Sequence, residues 1–177
     1  MLKTSSAKRS WGVIIYFWLR PEWAASCDFV DRLANRAIRV ITLTPPQLEK
    51  ILDHARDAAP AECCGLIGGS EDLVGATVYR LHNTASNPNV SYEAAPEELF
   101  SAQRQMRESG EMLLGIYHSH PRSAEPFPSE TDVRLAYYPQ ATYFIIGLAG
   151  DQPAMRAFRI CEREKRWEQV EYAIAGE

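Results

Sequence analysis

The chain has 177 residues, of which 46% are hydrophobic, 10% are aromatic and 24% are charged. This length and composition are typical of one globular domain and exclude a largely disordered chain. No stretch approaches the roughly 18–20 apolar residues that span a bilayer, so we expect no membrane insertion. Four cysteines are too few for a disulfide scaffold, and the adjacent Cys63 and Cys64 cannot readily bridge each other. The sequence therefore predicts a reduced, cytoplasmic protein.

Charge divides the chain into two parts. Residues 1–39 contain seven basic and three acidic side chains, a charge of +4, whereas residues 40–177 carry −8. An acidic main body is unfavourable for binding a phosphate backbone, so no nucleic-acid partner is expected. The division predicts an N-terminal extension of uncertain order over 1–39 and one folded domain over 40–177.

Several interpretations of the extension stay open. Basic residues precede the apolar run Trp11–Leu19, as in an export signal, but Arg20 and Pro21 interrupt that pattern. The alternative interpretations are a poorly ordered extension, the product of an upstream start codon, or an element that packs on the domain. We base no function on it.

The first half of the main body predicts a strand, a helix and two further strands. Thr44 is a suitable helix N-cap because Pro45 and Gln47 follow it in a capping-box pattern, and the helix should end by Pro60. The predicted strands, short and mostly apolar, are 38–43, 64–69 and 73–81.

The second half begins with a polar loop over 83–95 and continues with a helix from Pro96 to Gly110. An irregular loop, 121–128, and a short helix, 129–138, interrupt the strands that follow. These predicted strands are 112–118, 142–148, 154–160 and 167–174. Because helices and strands do not alternate strictly, the order predicts an α+β fold with a central mixed or antiparallel sheet flanked by helices.

Two histidines at the end of a predicted strand are the first chemical signal. Residues i and i+2 of a strand point to the same side, so His118 and His120 can reach one metal ion. Asp132 is a candidate third ligand, and three protein ligands leave a coordination position open, as in catalytic zinc sites. Ser129 and Asp132 also form a capping box, which on its own explains their presence at a helix start.

Glu62 is the candidate general base. It lies between the first predicted helix and the strand that begins at Cys64. A hydrolytic zinc site needs a group that takes a proton from water and passes it to the leaving amine. Considered alone, a glutamate at such a junction is usually a solvated surface residue.

Together these residues resemble a known motif. Glu62, the segment His118-Ser119-His120-Pro121, and Ser129-x-x-Asp132 are similar to the JAMM motif of the MPN+ (Mov34/MPN/PAD-1, JAB-type) metallopeptidases. The resemblance covers about residues 40–174 and is closest to compact prokaryotic members. It implies the fold of that family, whose layout is similar to cytidine deaminase.

The resemblance also implies roles. His118, His120 and Asp132 would bind Zn²⁺, Glu62 would activate water, and Ser129 would help stabilise the oxyanion. The implied reaction is hydrolysis of a peptide or isopeptide bond, often at the tail of a ubiquitin-like or sulfur-carrier protein. One departure is that eight residues, not the usual seven, separate His120 from Ser129. We expect the extra residue to bulge within the loop.

Other residues and functions are secondary expectations. His54 should face solvent, Cys63 should lie at the surface or an edge, and Cys64 should pack as a small apolar side chain. Two alternative functions are a non-catalytic MPN interaction scaffold, which the intact ligand set disfavours, and a RadC-like protein, which Ser119 and the acidic body disfavour. The sequence does not identify the substrate or the oligomeric state.

Overall fold

The computed structural model describes residues 40–176, so the predictions for 1–39 lie outside the described residues. Eight strands and three helices occur within this range. The strands are β1 Ile41–Leu43, β2 Cys64–Gly69, β3 Gly75–Leu81, β4 Met112–His120, β5 Thr142–Gly147, β6 Ala154–Cys161, β7 Arg166–Val170 and β8 Tyr172–Ile174. The helices are α1 Pro45–Ala58, α2 Pro96–Glu108 and α3 Glu130–Arg134.

Six strands form the central sheet in the order β3-β2-β4-β5-β6-β7. Only β4 and β5 are parallel, and every other neighbouring pair is antiparallel. A separate two-stranded sheet pairs β1 with β8 in parallel. The prediction of an α+β fold with a mixed central sheet and flanking helices is confirmed.

The sequence accounts for where the sheet is buried. Every residue of β2 and of β5 is buried, as their continuous apolar character predicts for strands covered on both faces. One apolar cluster includes Ile51 and Ala55 of α1, and a second includes Ala102 and Met106 of α2. The helices therefore cover both faces of the sheet, and β4, which carries the histidines, lies between β2 and β5.

The structure corrects two element boundaries. The predicted helix 129–138 ends at Arg134, and the Tyr138 amide donates to the hydroxyl of Tyr143 instead of continuing a helix. The predicted strand 167–174 is divided at Glu171 into β7 and β8. The two pieces pair with different strands, β6 and β1, because the chain leaves the main sheet at this point.

The sequence also gave expectations about disulfide bonds and membrane insertion. In the described part of the chain, Cys63, Cys64 and Cys161 are buried and form no disulfide. No helix among residues 40–176 combines the length and apolar character needed to cross a bilayer.

Candidate metal centre

The register between β2 and β4 places Glu62 beside the histidines. Cys64 at the start of β2 faces His118 near the end of β4. One step further along, the Ser119 amide donates to the carbonyl oxygen of Cys63 at 3.2 Å, and the Cys63 amide donates to Ser119 Oγ at 2.9 Å. The segment that contains Glu62 is thereby fixed against the C-terminal end of β4, which carries His118 and His120.

His118, His120 and Asp132 converge at one point. The two Nε2 atoms are 3.1 Å apart. His118 Nε2 lies 3.2 Å from Asp132 Oδ1, and His120 Nε2 lies 3.3 Å from Asp132 Oδ2. Among the residues described, these three form the group of potential ligands whose donor atoms all lie within 4.8 Å of one another.

These separations suit a tetrahedral metal site. Bonds of about 2.0–2.1 Å to a tetrahedral Zn²⁺ put neighbouring ligand atoms about 3.3 Å apart, close to the distances between the three groups. Two imidazoles and one carboxylate are also a donor set that zinc accepts while keeping a position open. The residues present therefore fit a zinc ion.

The longer spacer between His120 and Ser129 does not separate Asp132 from the histidines. The Ser123 amide donates to the carbonyl oxygen of His120 at 3.0 Å, and the Ala149 amide donates to that of Ser123 at 3.1 Å. These bonds fold loop 121–128 back on itself and onto the end of β5. The additional residue therefore does not prevent Asp132 from reaching both histidines.

The start of α3 holds the Asp132 carboxylate. Ser129 donates to Asp132 Oδ2 through its amide at 2.7 Å and its hydroxyl at 2.6 Å, while its Oγ accepts from the Asp132 amide at 3.2 Å. The capping box and the carboxylate that meets both histidines thus involve the same two residues. Burial alone would raise the pKa of Asp132, but hydrogen bonds from His118, His120 and Ser129 outweigh it and hold that pKa well below its ordinary value.

The two imidazoles have different environments. His118 is fully buried, and burial lowers its pKa despite the neighbouring carboxylate. Burial would also lower the pKa of His120, but its hydrogen bond to Asp132 and the Asp132 charge raise that pKa above its ordinary value. Nδ1 of His118 is buried without a hydrogen-bond partner among residues 40–176. The Tyr92 ring stacks on the His118 ring, with centroids 4.6 Å apart and planes at 25°.

Glu62 is buried rather than solvated. Its exposed fraction is 7%, and it lines one pocket with His120, Ser129 and Asp132. Burial raises the pKa of Glu62 to about 7, with an opposing effect from His120 and a further rise from the Asp132 charge. A carboxyl group with such a pKa can exchange a proton near neutral pH.

Sequence reasoning missed two residues of the 83–95 loop. Tyr92 also lines the pocket, and the Asn83 side chain contacts the Glu62 backbone. The polarity of the segment predicted a loop. The contact between Asn83 and Glu62 has no local sequence signal because the two residues lie 21 positions apart. The same holds for Tyr92, whose partner His118 lies on another element.

Two expectations about other residues were wrong. His54 is partly buried, with Nδ1 2.9 Å from the Tyr117 hydroxyl, because β4 lies under that side of α1. Cys63 is 1% exposed because β4 covers it. Cys64 is buried as predicted, with its Sγ 3.8 Å from the carbonyl oxygen of Leu81.

Comparison with known families gives an independent result. The model of the prokaryotic homologues of the JAB domain matches residues 44–161. A desampylase from Haloferax volcanii is 37% identical over 119 residues, covering 64% of this chain and 85% of the relative. A probable TtuB-protein conjugate cleaving protease from Thermus thermophilus is 33% identical over 118 residues, covering 67% of this chain and 74% of the relative.

Solved structures show the same fold. A protein from Desulfitobacterium hafniense, determined in solution, has a TM-score of 0.69 and 37% identity, covering 78% of this chain and 94% of its own. A JAB1/MPN domain protein from Archaeoglobus fulgidus has a TM-score of 0.53 and 22% identity, covering 77% of this chain and 98% of its own.

Proposed function

Because this chain belongs to the prokaryotic homologues of the JAB domain and is a metallopeptidase or isopeptidase of the JAMM type, we propose that it cleaves the C-terminal tail of a ubiquitin-like or sulfur-carrier protein. The scissile bond is an amide, either in a peptide or in an isopeptide link. The catalytic domain corresponds to residues 40–177, and Zn²⁺ is the cofactor.

One observation carries the proposal: the convergence of His118, His120 and Asp132 next to the buried carboxyl group of Glu62. The first three residues would hold the zinc ion. Zinc supplies a Lewis acid that polarises the scissile carbonyl group and makes water more acidic. A purely structural zinc site would have a fourth protein ligand, whereas the group found among residues 40–176 contains three.

Glu62 acts as general base and then as general acid. Its carboxylate takes a proton from the attacking water and delivers that proton to the leaving nitrogen when the C–N bond breaks. Burial raises the pKa of Glu62 to about 7 without a cation, and the charge of a bound Zn²⁺ would lower it, so the carboxylate that takes the proton from water is available at neutral pH.

Ser129 is the proposed oxyanion donor. Ser129 lines the same pocket as Glu62 and His120, and its hydroxyl donates to Asp132 Oδ2. Turning that hydroxyl towards the carbonyl oxygen of the substrate stabilises the tetrahedral oxyanion. Removing such a donor typically costs about 10²–10³ in kcat.

The names of relatives support the substrate class. One relative is a desampylase and another is a probable TtuB-protein conjugate cleaving protease. Exposed Val90 and Leu135 line the pocket together with the catalytic residues. They offer apolar contacts to an extended tail, and the 83–95 loop to which Val90 belongs would form one side of the substrate groove.

The test uses the full chain loaded with zinc. Ubiquitin-like proteins are supplied as linear fusions with a C-terminal peptide and as lysine-linked conjugates, and products are identified by mass spectrometry. We expect cleavage after the last residue of the ubiquitin-like tail, its loss with a chelator, and recovery on adding zinc. Absence of cleavage of all these substrates by zinc-loaded, folded protein would contradict the proposal.

The remaining expectations about partners stay predictions. The charge of −8 over residues 40–177 predicts no nucleic-acid binding, and a salt-dependent gel shift would contradict this. A cytoplasmic location is consistent with the three buried, unbridged cysteines of the described part.

A further inference from the structure

A single side chain connects the Glu62 backbone to the 83–95 loop. The Nδ2 group of Asn83 donates to the carbonyl oxygen of Glu62 at 2.8 Å and to that of Ser91 at 3.0 Å. The Oδ1 atom accepts from the amides of Ala85 at 3.0 Å and Glu93 at 3.1 Å. An asparagine amide can donate two hydrogen bonds and accept two, so Asn83 uses its full capacity here.

The loop is also bonded directly to Glu62. The Glu62 amide donates to the carbonyl oxygen of Pro88 at 2.7 Å, so both backbone polar groups of Glu62 are held by this part of the chain. A short ladder closes the base of the loop, with Asn83 facing Ala94 and the Thr84 amide donating to the carbonyl oxygen of Glu93 at 2.8 Å. Asn83 therefore lies at the point where the ladder, the loop and Glu62 meet.

The same loop carries the aromatic ring that covers a proposed ligand. Tyr92 follows Ser91, which Asn83 holds, and stacks on His118. The Tyr92 ring also packs against the core cluster that includes Cys64 and Tyr143. Through Ser91, Asn83 thus contributes to the position of Tyr92 as well as to that of Glu62.

We propose that Asn83 is a positioning residue of the reaction: its amide group fixes the Glu62 backbone relative to His118 and His120 and simultaneously shapes the loop that carries Tyr92. This inference rests on the proposed function, because it assigns Asn83 to the reaction in which Glu62 is the base. Asn83 itself does not contact the reacting atoms. Misplacing a catalytic group by about 1 Å can cost about 10²-fold in rate.

Two variants distinguish the hydrogen bonds that Asn83 Nδ2 donates from those that Asn83 Oδ1 accepts. Asn83→Ala removes all four hydrogen bonds. Asn83→Asp keeps the acceptor for the amides of Ala85 and Glu93. It replaces the donor with a carboxylate oxygen, which cannot bond to the carbonyl oxygens of Glu62 and Ser91. Asn87→Ala is the matched control, since Asn87 is an exposed asparagine of the same loop and, among residues 40–176, takes part in hydrogen bonds through its backbone carbonyl rather than its side chain.

The first measurement does not depend on activity. Amide hydrogen exchange, followed by NMR, should accelerate by about 10-fold at Ala85 and Glu93 in Asn83→Ala, because both amides donate to Asn83 Oδ1. Exchange at Glu62 should also accelerate, because its amide donates to Pro88 in the loop that Asn83 holds. Asn83→Asp should accelerate exchange at Glu62 and leave Ala85 and Glu93 protected. Amides of β5 should not change in either variant. Unchanged exchange at Glu62 in both variants would overturn the inference.

The second measurement uses the proposed reaction. Both Asn83 variants should lower kcat by about 10- to 100-fold with KM changed less than kcat, and zinc content should remain one ion per chain. In the Glu62→Gln background, adding Asn83→Ala should lower the residual rate by less than about twofold, because the group that it positions is already lost. Independent, multiplicative effects would overturn the inference. If the parent protein cleaves nothing, the proposed function fails, while amide exchange still decides whether Asn83 fixes Glu62.

Discussion

The Oγ atom of Ser119, which is fully buried, lies 2.9 Å from the amide nitrogen of Cys63. Ser119 alternates with His118 and His120 along β4, so it points away from the candidate metal centre. Its hydrogen bond nevertheless aligns β4 with the residue next to Glu62. The middle residue of the His-Ser-His segment therefore connects the proposed ligands to the proposed base.

Replacing Ser119 by Ala should destabilise the protein and slow the reaction. The substitution leaves the buried Cys63 amide without its side-chain acceptor, which costs about 1–3 kcal/mol in the free energy of unfolding. Urea denaturation measures this cost. Ser101→Ala is the control, because Ser101 lies on α2 and its hydroxyl accepts an exposed hydrogen bond from Gln105, so its effect should stay within about 0.5 kcal/mol. Equal unfolding free energies for both variants would contradict the role of Ser119.

Glu62→Gln should separate metal binding from turnover. The amide preserves the size of the side chain but cannot accept a proton from water, so kcat should fall by about 10²–10⁴-fold while zinc content is retained. Asp132→Ala should lose both, because it removes one of three converging groups. Glu130→Gln is the control on the same helical turn, where the side chain is exposed. Normal turnover by Glu62→Gln would exclude it as the base, and retained stoichiometric zinc in Asp132→Ala would exclude that carboxylate as a ligand.

The parts of this site that the sequence predicted are local ones. His118 and His120 are two positions apart on a strand, and Ser129 caps a helix turn that includes Asp132, so spacing alone indicates which side chains can meet. The position of Glu62 depends instead on the register between β2 and β4, which joins Cys64 to His118 across 54 positions. No periodicity within one element specifies that register, and the resemblance to a known motif supplied the expectation.

The residues that sequence reasoning missed have partners from distant elements. The helical period places His54 away from the apolar face of α1, yet the hydroxyl of Tyr117 reaches it from β4. Asn83 and Tyr92 belong to a segment whose composition indicates only a loop. Their roles arise from the fold of that loop against Glu62 and His118, which composition does not encode.

His54 should make stability depend on pH. Burial, aided by the charge of Arg80, lowers the pKa of His54 to about 4 from an ordinary value of 6.5. Between these values the unfolded chain binds a proton that the folded chain does not, so stability is lost as the pH falls from 6.5 towards 4. A shift of this size corresponds to about 3 kcal/mol, and solvent screening of the partly exposed ring reduces the contribution to about 2 kcal/mol.

The measurement is urea denaturation of metal-free protein at several pH values. His54→Gln keeps a side chain that can bond to the Tyr117 hydroxyl but cannot titrate, so its stability should decline less between pH 6.5 and 4 than that of the parent. His82→Gln, which replaces an exposed imidazole, is the matched histidine control. A profile for His54→Gln that parallels the parent would show that His54 is not responsible.

Tyr92 should determine how tightly zinc is held. The Nδ1 atom of His118 has no hydrogen-bond partner among the residues described, so its ring lacks the bond that commonly orients a metal-binding histidine. The stacked Tyr92 ring instead restricts the ring of His118. Tyr92→Ala should therefore weaken zinc affinity by about 10-fold, at the lower end of the effects seen when groups that orient ligands are removed.

Competition with a chelating dye measures this affinity without a substrate. Tyr92→Phe is the matched control, since it keeps the stacked ring and removes only the hydroxyl, and its affinity should equal that of the parent within about twofold. If Tyr92→Phe loses as much affinity as Tyr92→Ala, the hydroxyl rather than the stacking orients His118. Undiminished affinity in Tyr92→Ala would mean that Asp132 and the β4 backbone alone hold that imidazole in place.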